Sequence, residues 1–198
     1  RQPGKGVGFL LKKNNVEYIP ARGTLSAPDT IEAMAADGTK RTVKAAKVIL
    51  ATGGRARKLP NVEFDGETIL TSREAMVLPS VPKSMLIIGA GAIGVEFAYM
   101  YQVFGAEITL VEMLPNLVPV EDTEVSQELE KVWRKRGIKM HTSSKVKSLT
   151  RKKNGVEAVI ETPNGEIKVE AEKALVAIGV QGITENLGLE KLGVKTDR

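Results

Sequence analysis

Residues 84 to 95, Ser-Met-Leu-Ile-Ile-Gly-Ala-Gly-Ala-Ile-Gly-Val, narrow what this chain can fold into more than any other stretch. Residues 85 to 88 form a short apolar run of the kind buried on both faces of a parallel sheet. Gly89, Gly91 and Gly94 follow at once in G-x-G-x-x-G spacing. The first permits a tight turn, the second leaves the backbone bare, and the third lets the following helix pack closely on the strand. The free N–H groups and positive dipole end of that helix suit a pyrophosphate. Gly89, Ala90, Gly91, Ala92, Ile93, Gly94 and Val95 are therefore candidate contacts to the phosphates of a dinucleotide.

Glycine makes up 19 of 198 residues, so the spacing alone could also be a helix-packing cluster. Its surroundings favour the nucleotide. A helix through Glu96, Phe97, Ala98, Met100, Tyr101 and Phe104 is predicted to stop at Gly105, and a second strand over residues 107 to 111 ends in Glu112. That acid lies 23 residues past Gly89, close to the spacing expected of a carboxylate that bonds an adenosine ribose. It would repel a 2′-phosphate, and residues 113 to 120 hold no Arg or Lys to neutralise one, so NAD is favoured over NADP. The alternative is a solvated acid at a strand end. Substituting Glu112 is expected to weaken cofactor binding with little effect on the fold.

A length of 198 residues allows one large domain or two modest ones, and 42% hydrophobic with 27% charged residues marks a globular chain. The formal charge of +5 is spread over residues 12–13, 134–136 and 151–153, near helix ends and turns. With one Trp, three Tyr and four Phe there is no aromatic interleaving for base stacking, so nucleic acid is not an expected partner. No apolar run reaches 18 residues, so no membrane association is expected. The chain opens on Arg-Gln-Pro-Gly-Lys-Gly, without an initiator Met or a signal-peptide pattern, and is expected to be a piece of something longer. Zero cysteines exclude disulfides and thiolate chemistry within it, and the single His141 is expected to pack in a strand, so no metal site is expected.

In chain order, a short helix is predicted over residues 5–14 and strands over 16–19, 30–35 and 41–45, the last two joined at Asp37-Gly38. A buried strand over 47–51 leads into Thr52-Gly53-Gly54, and residues 55–66 read as a connector. Thr71 and Glu74 offer a capping box for a short helix. Asp122 or Thr123 caps another running to about Arg136, with Val125, Leu129, Val132 and Trp133 as its buried stripe. A strand over 138–141 follows, then a meander over 145–150, 156–161 and 166–170 turned at two Asn-Gly pairs, and a buried strand over 173–178 ending at Gly179.

The stretch from Gly23 to Gly54 and that from Ser143 to Gly179 share an order: a meander, then Lys-Val-Ile-Leu-Ala-Thr-Gly or Lys-Ala-Leu-Val-Ala-Ile-Gly. They read as one module used twice, the first lacking its glycine-rich start, or else as two generic hairpins before buried strands. Two dinucleotide sites in one polypeptide point to a flavoprotein. The motifs Ile-Leu-Ala-Thr-Gly-Gly (49–54), Ile-Ile-Gly-Ala-Gly-Ala-Ile-Gly-Val-Glu-Phe-Ala (87–98), Leu-Val-Glu (110–112), Val-Ala-Ile-Gly (176–179) and Thr-Glu-Asn-Leu-Gly-Leu-Glu (184–190) carry a resemblance over nearly the whole chain. It is similar to the middle of enzymes of the flavin-dependent pyridine nucleotide-disulfide oxidoreductase family, in particular their dihydrolipoamide dehydrogenase branch.

The resemblance implies an α/β fold: a Rossmann-like doubly wound NAD-binding domain with an antiparallel meander over residues 81–180, the C-terminal part of an FAD-binding domain and a connector over 1–80, and a return segment over 181–198. It implies NAD and FAD as cofactors. The NAD site would comprise residues 89 to 95, Glu96 near the nicotinamide end unless it is merely structural, Glu112, Val146, Ala177, Ile178 and Gly179. Gly23, Thr52, Gly53 and Gly54 would contact FAD. Gly54 stands where relatives usually have Ser, and Val180-Gln181-Gly182 replaces the usual Arg-Arg-Pro or Arg-Val-Pro. The family's redox cysteine pair and histidine base are absent, so the chain holds no catalytic residue and is not expected to turn over alone. The parent would be a homodimeric component of 2-oxo acid dehydrogenase complexes, in the cytoplasm or in a eukaryote's mitochondrial matrix. NADH oxidase, mercuric reductase or soluble transhydrogenase would share these motifs, and an NADH-sensing module without chemistry is the alternative from another class.

Overall fold

A computed structural model describes residues 4–197; Arg1, Gln2, Pro3 and Arg198, at the ends of the expected first domain and return segment, lie outside the described residues. The chain forms two compact units, one of residues 1–53 with 182–198, the other of residues 54–181. The connector from Gly54 onward, grouped from sequence with the first domain, belongs by its contacts to the second unit.

In the first unit, α1 (Lys5–Lys13) precedes an antiparallel sheet of β1 (Ala21–Ala27), β2 (Thr30–Ala35) and β3 (Lys40–Lys44). The Asp37-Gly38 turn forms as its residues dictate: Gly38 takes a φ of +85° and the Asp37 carboxylate accepts the Thr39 N–H at 2.9 Å. Two strands predicted here are absent. Residues 16–19 and 47–51 find no neighbouring strand among the described residues, and Ile49 is 90% exposed. An apolar run becomes a strand only when something pairs with it. Residues of the return segment lie along β1, where the Leu25 N–H donates to Leu187 O at 2.8 Å.

The second unit is built on a parallel sheet. Its members are β5 (Ile69–Leu70), β6 (Ser84–Ile88), β7 (Glu107–Val111), β8 (Lys139–His141) and β12 (Lys173–Val176), in the order β5-β12-β6-β7-β8. Alternation along each strand divides its side chains between two cores. Met85 and Ile87, with Leu70, Ile108, Leu110 and Leu175, face a cluster that includes Phe97, Ala98, Tyr101 and Trp133. Those come from α3 (Ala92–Val103) and α4 (Thr123–Lys135). Leu86 and Ile88, with Ile69, Val111, Ala174 and Val176, face Leu149, Val156, Ala158 and Ile160. These belong to the meander of β9 (Lys145–Lys152), β10 (Gly155–Thr162) and β11 (Gly165–Ala171). A β-meander thus covers the face opposite α3 and α4. Both faces are dry, which is why the strands read as unbroken apolar runs.

The buried stripe of α4 is turned from the one expected. Trp133 is buried and Leu129 packs on the core, but Val125 is 57% and Val132 38% exposed, while Ser126 is buried. Ser126 can face inward because its hydroxyl donates to Leu117 O in the loop ahead of the helix, a partner no helical periodicity reveals. His141 sits in β8, and burial pushes its imidazole below the ordinary 6.5, so it is neutral at pH 7.

The short helix α2 (Ser72–Ala75) carries the expected capping box: Arg73 N–H donates to the Thr71 hydroxyl oxygen at 3.2 Å and Thr71 N–H to the Glu74 carboxylate at 3.0 Å. The Thr71 hydroxyl, followed by the backbone bond and against the opposing effect of burial, holds Glu74 below the ordinary 4.5. A depressed carboxyl contributes stability above that ordinary value and loses it as pH falls through the native one. Thr71→Ala is expected to cost about 1 kcal/mol at pH 7. Urea melts at pH 7 and pH 3 should show that cost shrinking in acid; an equal cost at both would show that the Glu74 charge plays no part.

Candidate functional site

The glycine-rich turn lies where the sheet changes direction. From β6 the chain winds out through β7 to β8, then returns to the other side of β6 as β12. Loops leaving the carboxyl ends of β6 and β12 therefore diverge and open a crevice, the usual place for a ligand in such a sheet. A cleft of about 1060 Å³ occupies the second unit there. Among its lining residues are Gly89, Gly91, Ala92 and Ile93 after β6, Glu112 at the end of β7, Val146 in β9, and Ala177, Ile178 and Gly179 after β12.

The three glycines are needed for different reasons. Gly89 has a φ of +100°, and a Cβ there would lie 2.5 Å from Ala177 O. A Cβ on Gly94 would stand 1.8 Å from Gly89 O, so that glycine lets α3 approach the turn. Both are demanded by the fold. At Gly91, the N-cap of α3, φ is −70° and a Cβ would meet nothing within 4 Å. Neither backbone conformation nor packing asks for glycine at that position. A bare backbone facing the cleft at the head of a 12-residue helix is what a phosphate group requires.

Glu112 does more than wait for a ligand. It is only 8% exposed, and its carboxylate accepts the Ala90 N–H at 2.6 Å and the Leu114 N–H at 2.8 Å. The loop is tied back again by Val118 N–H to Ala90 O at 2.8 Å, and the start of the meander by Ser144 N–H to Glu112 O at 2.9 Å. Burying a charge is costly unless such donors replace water. An ionised carboxylate has about four lone-pair sites, so two remain for ribose hydroxyls. The expected indifference of the fold to Glu112 is therefore corrected: this side chain holds the glycine turn to the neighbouring loop.

Other expected residues stand off the cleft wall. Ala90 is fully buried with its N–H spent on Glu112, Gly94 is buried against Gly89, Val95 packs on the core, and Glu96 is exposed on α3. In the first unit, Gly23 lies in β1 opposite Ala33, while the Thr52 hydroxyl donates to Ile183 O at 2.6 Å and Gly53 O accepts the Ile183 N–H at 3.0 Å. A cavity of about 580 Å³ there is lined by Arg22, Thr24 and Ala33 but not by Gly23. Gly54 falls in β4 (Gly54–Ala56), which pairs with β13 (Val180–Gly182). A Cβ on Gly54 would lie 2.7 Å from a Val180 methyl. Gly54 and Val180 thus fit each other: the branched Val180 occupies the space that a larger residue at 54 would need.

Several lining residues escaped the sequence. Residues 57 to 62 form a wall of the cleft, with Arg57, Lys58 and Asn61 among them, although the segment reads as a plain connector. Its signal was present in Leu59, Val62 and Phe64, which pack it onto the meander-side core. Lys145 and Lys147 also line the cleft from β9, so cations come near it from the meander although residues 113 to 120 hold none.

Comparison with known proteins identifies the family. The family described as pyridine nucleotide-disulphide oxidoreductase matches residues 1–198. The dihydrolipoyl dehydrogenase of Zymomonas mobilis is 45% identical over 194 residues, covering 98% of this chain and 42% of that protein. A mitochondrial dihydrolipoyl dehydrogenase of Dictyostelium discoideum is 35% identical over 197 residues, covering 98% and 40%. Among solved structures, LpdA from Mycobacterium tuberculosis superposes with a TM-score of 0.85 at 33% identity, over 98% of this chain and 43% of that one. The chain thus spans about two fifths of the length of the relatives it matches.

Two outcomes follow from the site geometry. Gly91→Ala should leave stability within about 0.5 kcal/mol of the parent chain, whereas Gly94→Ala should unfold it or cost several kcal/mol; equal thermal midpoints for the two would contradict this division. Glu112→Ala should cost about 2–3 kcal/mol in urea melts by leaving two backbone N–H groups unpaired, and Glu112→Gln, which keeps one acceptor, about half as much. A melt unchanged by Glu112→Ala would mean that the carboxylate contributes nothing to the fold.

Proposed function

Since the chain belongs to the pyridine nucleotide-disulphide oxidoreductase family, we propose that residues 54–181 are the NAD platform of an FAD-dependent dihydrolipoyl dehydrogenase. Members of this family use FAD and NAD(P). The observation that carries the reading is Gly91: its glycine has no steric or conformational cause within the chain, and it faces a cleft large enough for a nucleotide.

In this reading the backbone of Gly91, Ala92 and Ile93 receives the pyrophosphate beside Gly89, with the open end of α3 supplying N–H donors and the favourable end of its dipole. Glu112 takes the adenosine ribose hydroxyls with its remaining lone pairs while its bonds to Ala90 and Leu114 keep the turn in shape. Val146 lines the adenosine side, and Ala177, Ile178 and Gly179 the nicotinamide side, with Glu96 near it. These residues would hold a nicotinamide that supplies hydride transfer to or from a flavin. The chain orients that exchange and excludes water from it. Residues 1–80 are the end of the FAD domain and a connector, of which residues 54–80 pack in the same unit as the NAD domain of residues 81–180; residues 181–198 are the return to the FAD domain, and Gly23, Thr52, Gly53 and Gly54 are its FAD contacts.

The whole protein would oxidise protein-bound dihydrolipoamide to lipoamide through a cysteine pair and FAD, passing two electrons and one proton to NAD⁺ and releasing the second proton to solvent. The 198 residues contain no cysteine, so they supply no catalytic residue of that reaction. Similarity to dihydrolipoyl dehydrogenases along 98% of the chain supports this member of the family. The whole protein is proposed to act as a homodimer within 2-oxo acid dehydrogenase complexes, in the cytoplasm or the mitochondrial matrix; among the described residues no helix is long and apolar enough to cross a membrane.

Fluorescence titration of the 198-residue chain tests the platform. NADH is expected to bind at least about tenfold more tightly than NADPH, because a 2′-phosphate would meet the Glu112 carboxylate. Equal affinity, as Lys145 beside that end could produce, would overturn the choice of NAD, and failure of both to bind would overturn the platform itself.

A further inference from the structure

Of the charged side chains on the cleft with no part in the binding scheme above, Arg57 stands apart. It lines the cleft from the connector. Its backbone N–H donates to Gly179 O at 3.0 Å and its Nε to Val180 O at 3.4 Å. Its Cδ and Nε stand 3.7 Å and 3.9 Å from where a Gly179 Cβ would be. The guanidinium is therefore fastened to the segment that leaves β12, and it makes no ion pair among the described residues. Neighbouring Lys58 differs, since Glu63 compensates it.

Strand order fixes which end of the cleft this is. The glycine turn follows β6, Glu112 ends β7 on one side, and Gly179 follows β12 on the other. The cleft's two carboxylates, Glu112 and Glu161, lie together, because Glu161 pairs with Lys145 and the preceding Ser144 is bonded to Glu112. Lys145 and Lys147 are at that end as well. At the β12 end stand Arg57 and the compensated Lys58.

A dinucleotide with its ribose on Glu112 and its phosphates on the turn directs its nicotinamide half toward Gly179 and Arg57. The oxidised nicotinamide ring is a cation, and the reduced ring is neutral. On the NAD-platform reading, we propose that Arg57 is a specificity-determining residue that discriminates between the two redox states of the cofactor, disfavouring NAD⁺ relative to NADH. Like charges about 8 Å apart in a medium between protein surface and bulk water change affinity by about twofold to thirtyfold. Arg57 is exposed, so screening brings the expected effect to about three- to fivefold. By disfavouring the cationic ring, the guanidinium makes reduction of bound NAD⁺ easier and leaves the hold on the neutral reduced ring unchanged.

The test titrates NAD⁺, NADH and ADP-ribose, which lacks the nicotinamide, against the 198-residue chain and its Arg57→Gln and Arg57→Lys variants. For Arg57→Gln the ratio of the NAD⁺ to the NADH dissociation constant should fall by about three- to fivefold, with ADP-ribose affinity unchanged. Arg57→Lys should restore most of the ratio by restoring the charge. An unchanged ratio in Arg57→Gln overturns the proposal while leaving the platform intact. Equal weakening of all three ligands also overturns it, by showing a phosphate contact or a structural role. Should ADP-ribose and NADH both fail to bind the unaltered chain, the NAD-platform reading falls, and this inference with it.

Discussion

A buried carboxylate bonded to the backbone of a glycine-rich turn organises the second unit. Glu112 sits at the end of one strand and accepts the N–H of Ala90, which belongs to the turn after the neighbouring strand. The same group accepts the Leu114 N–H in the following loop, and the loop returns a bond to Ala90 O through Val118. A turn with three glycines has many conformations to lose, and an interior charge has much hydration to lose. Each cost is offset by the other's hydrogen bonds, so the turn arrives at its shape before any ligand does.

That preorganisation depends on what lies beneath it. Strands β6, β7 and β12 are apolar on both faces, one against α3 and α4 and the other against the meander. With neither face wet, register is tightly specified, and the carboxyl ends of the strands stand at fixed heights. Gly89 beside Ala177 O and Gly94 beside Gly89 O are consequences of that close packing. Gly91 is the exception: its freedom from neighbours gives the cleft its chemical meaning.

The cleft is also electrically uneven. Its acids, together with two meander lysines, lie toward β7, and an arginine bonded to a carbonyl lies at the β12 side. A ligand that is anionic in the middle and changes charge at one end would experience that difference. The connector supplies this wall because Leu59, Val62 and Phe64 hold it on the core, so a segment without regular structure contributes to the site as firmly as the strands do.

Much of this was legible in the residues. The β6 strand, its glycine turn, the helix after it, Glu112, the capping box at Thr71 and the meander all rest on local chemistry: glycine where the backbone needs room or, as at Gly155 and Gly165, where φ turns positive, threonine and glutamate where a helix begins. The strands expected over residues 16–19 and 47–51 did not form, because strand formation depends on a partner, which local sequence cannot supply. The inward face of α4 was misjudged for a similar reason, since Ser126 is buried by a bond to Leu117 O from outside the helix. The sequence alone determined that a bare backbone would meet a helix end beside an acid. Only the tertiary structure decided that this acid also holds the turn, that Gly91 is the glycine the fold does not need, and that Arg57 reaches the cleft, because each depends on atoms brought together from strands far apart in the chain.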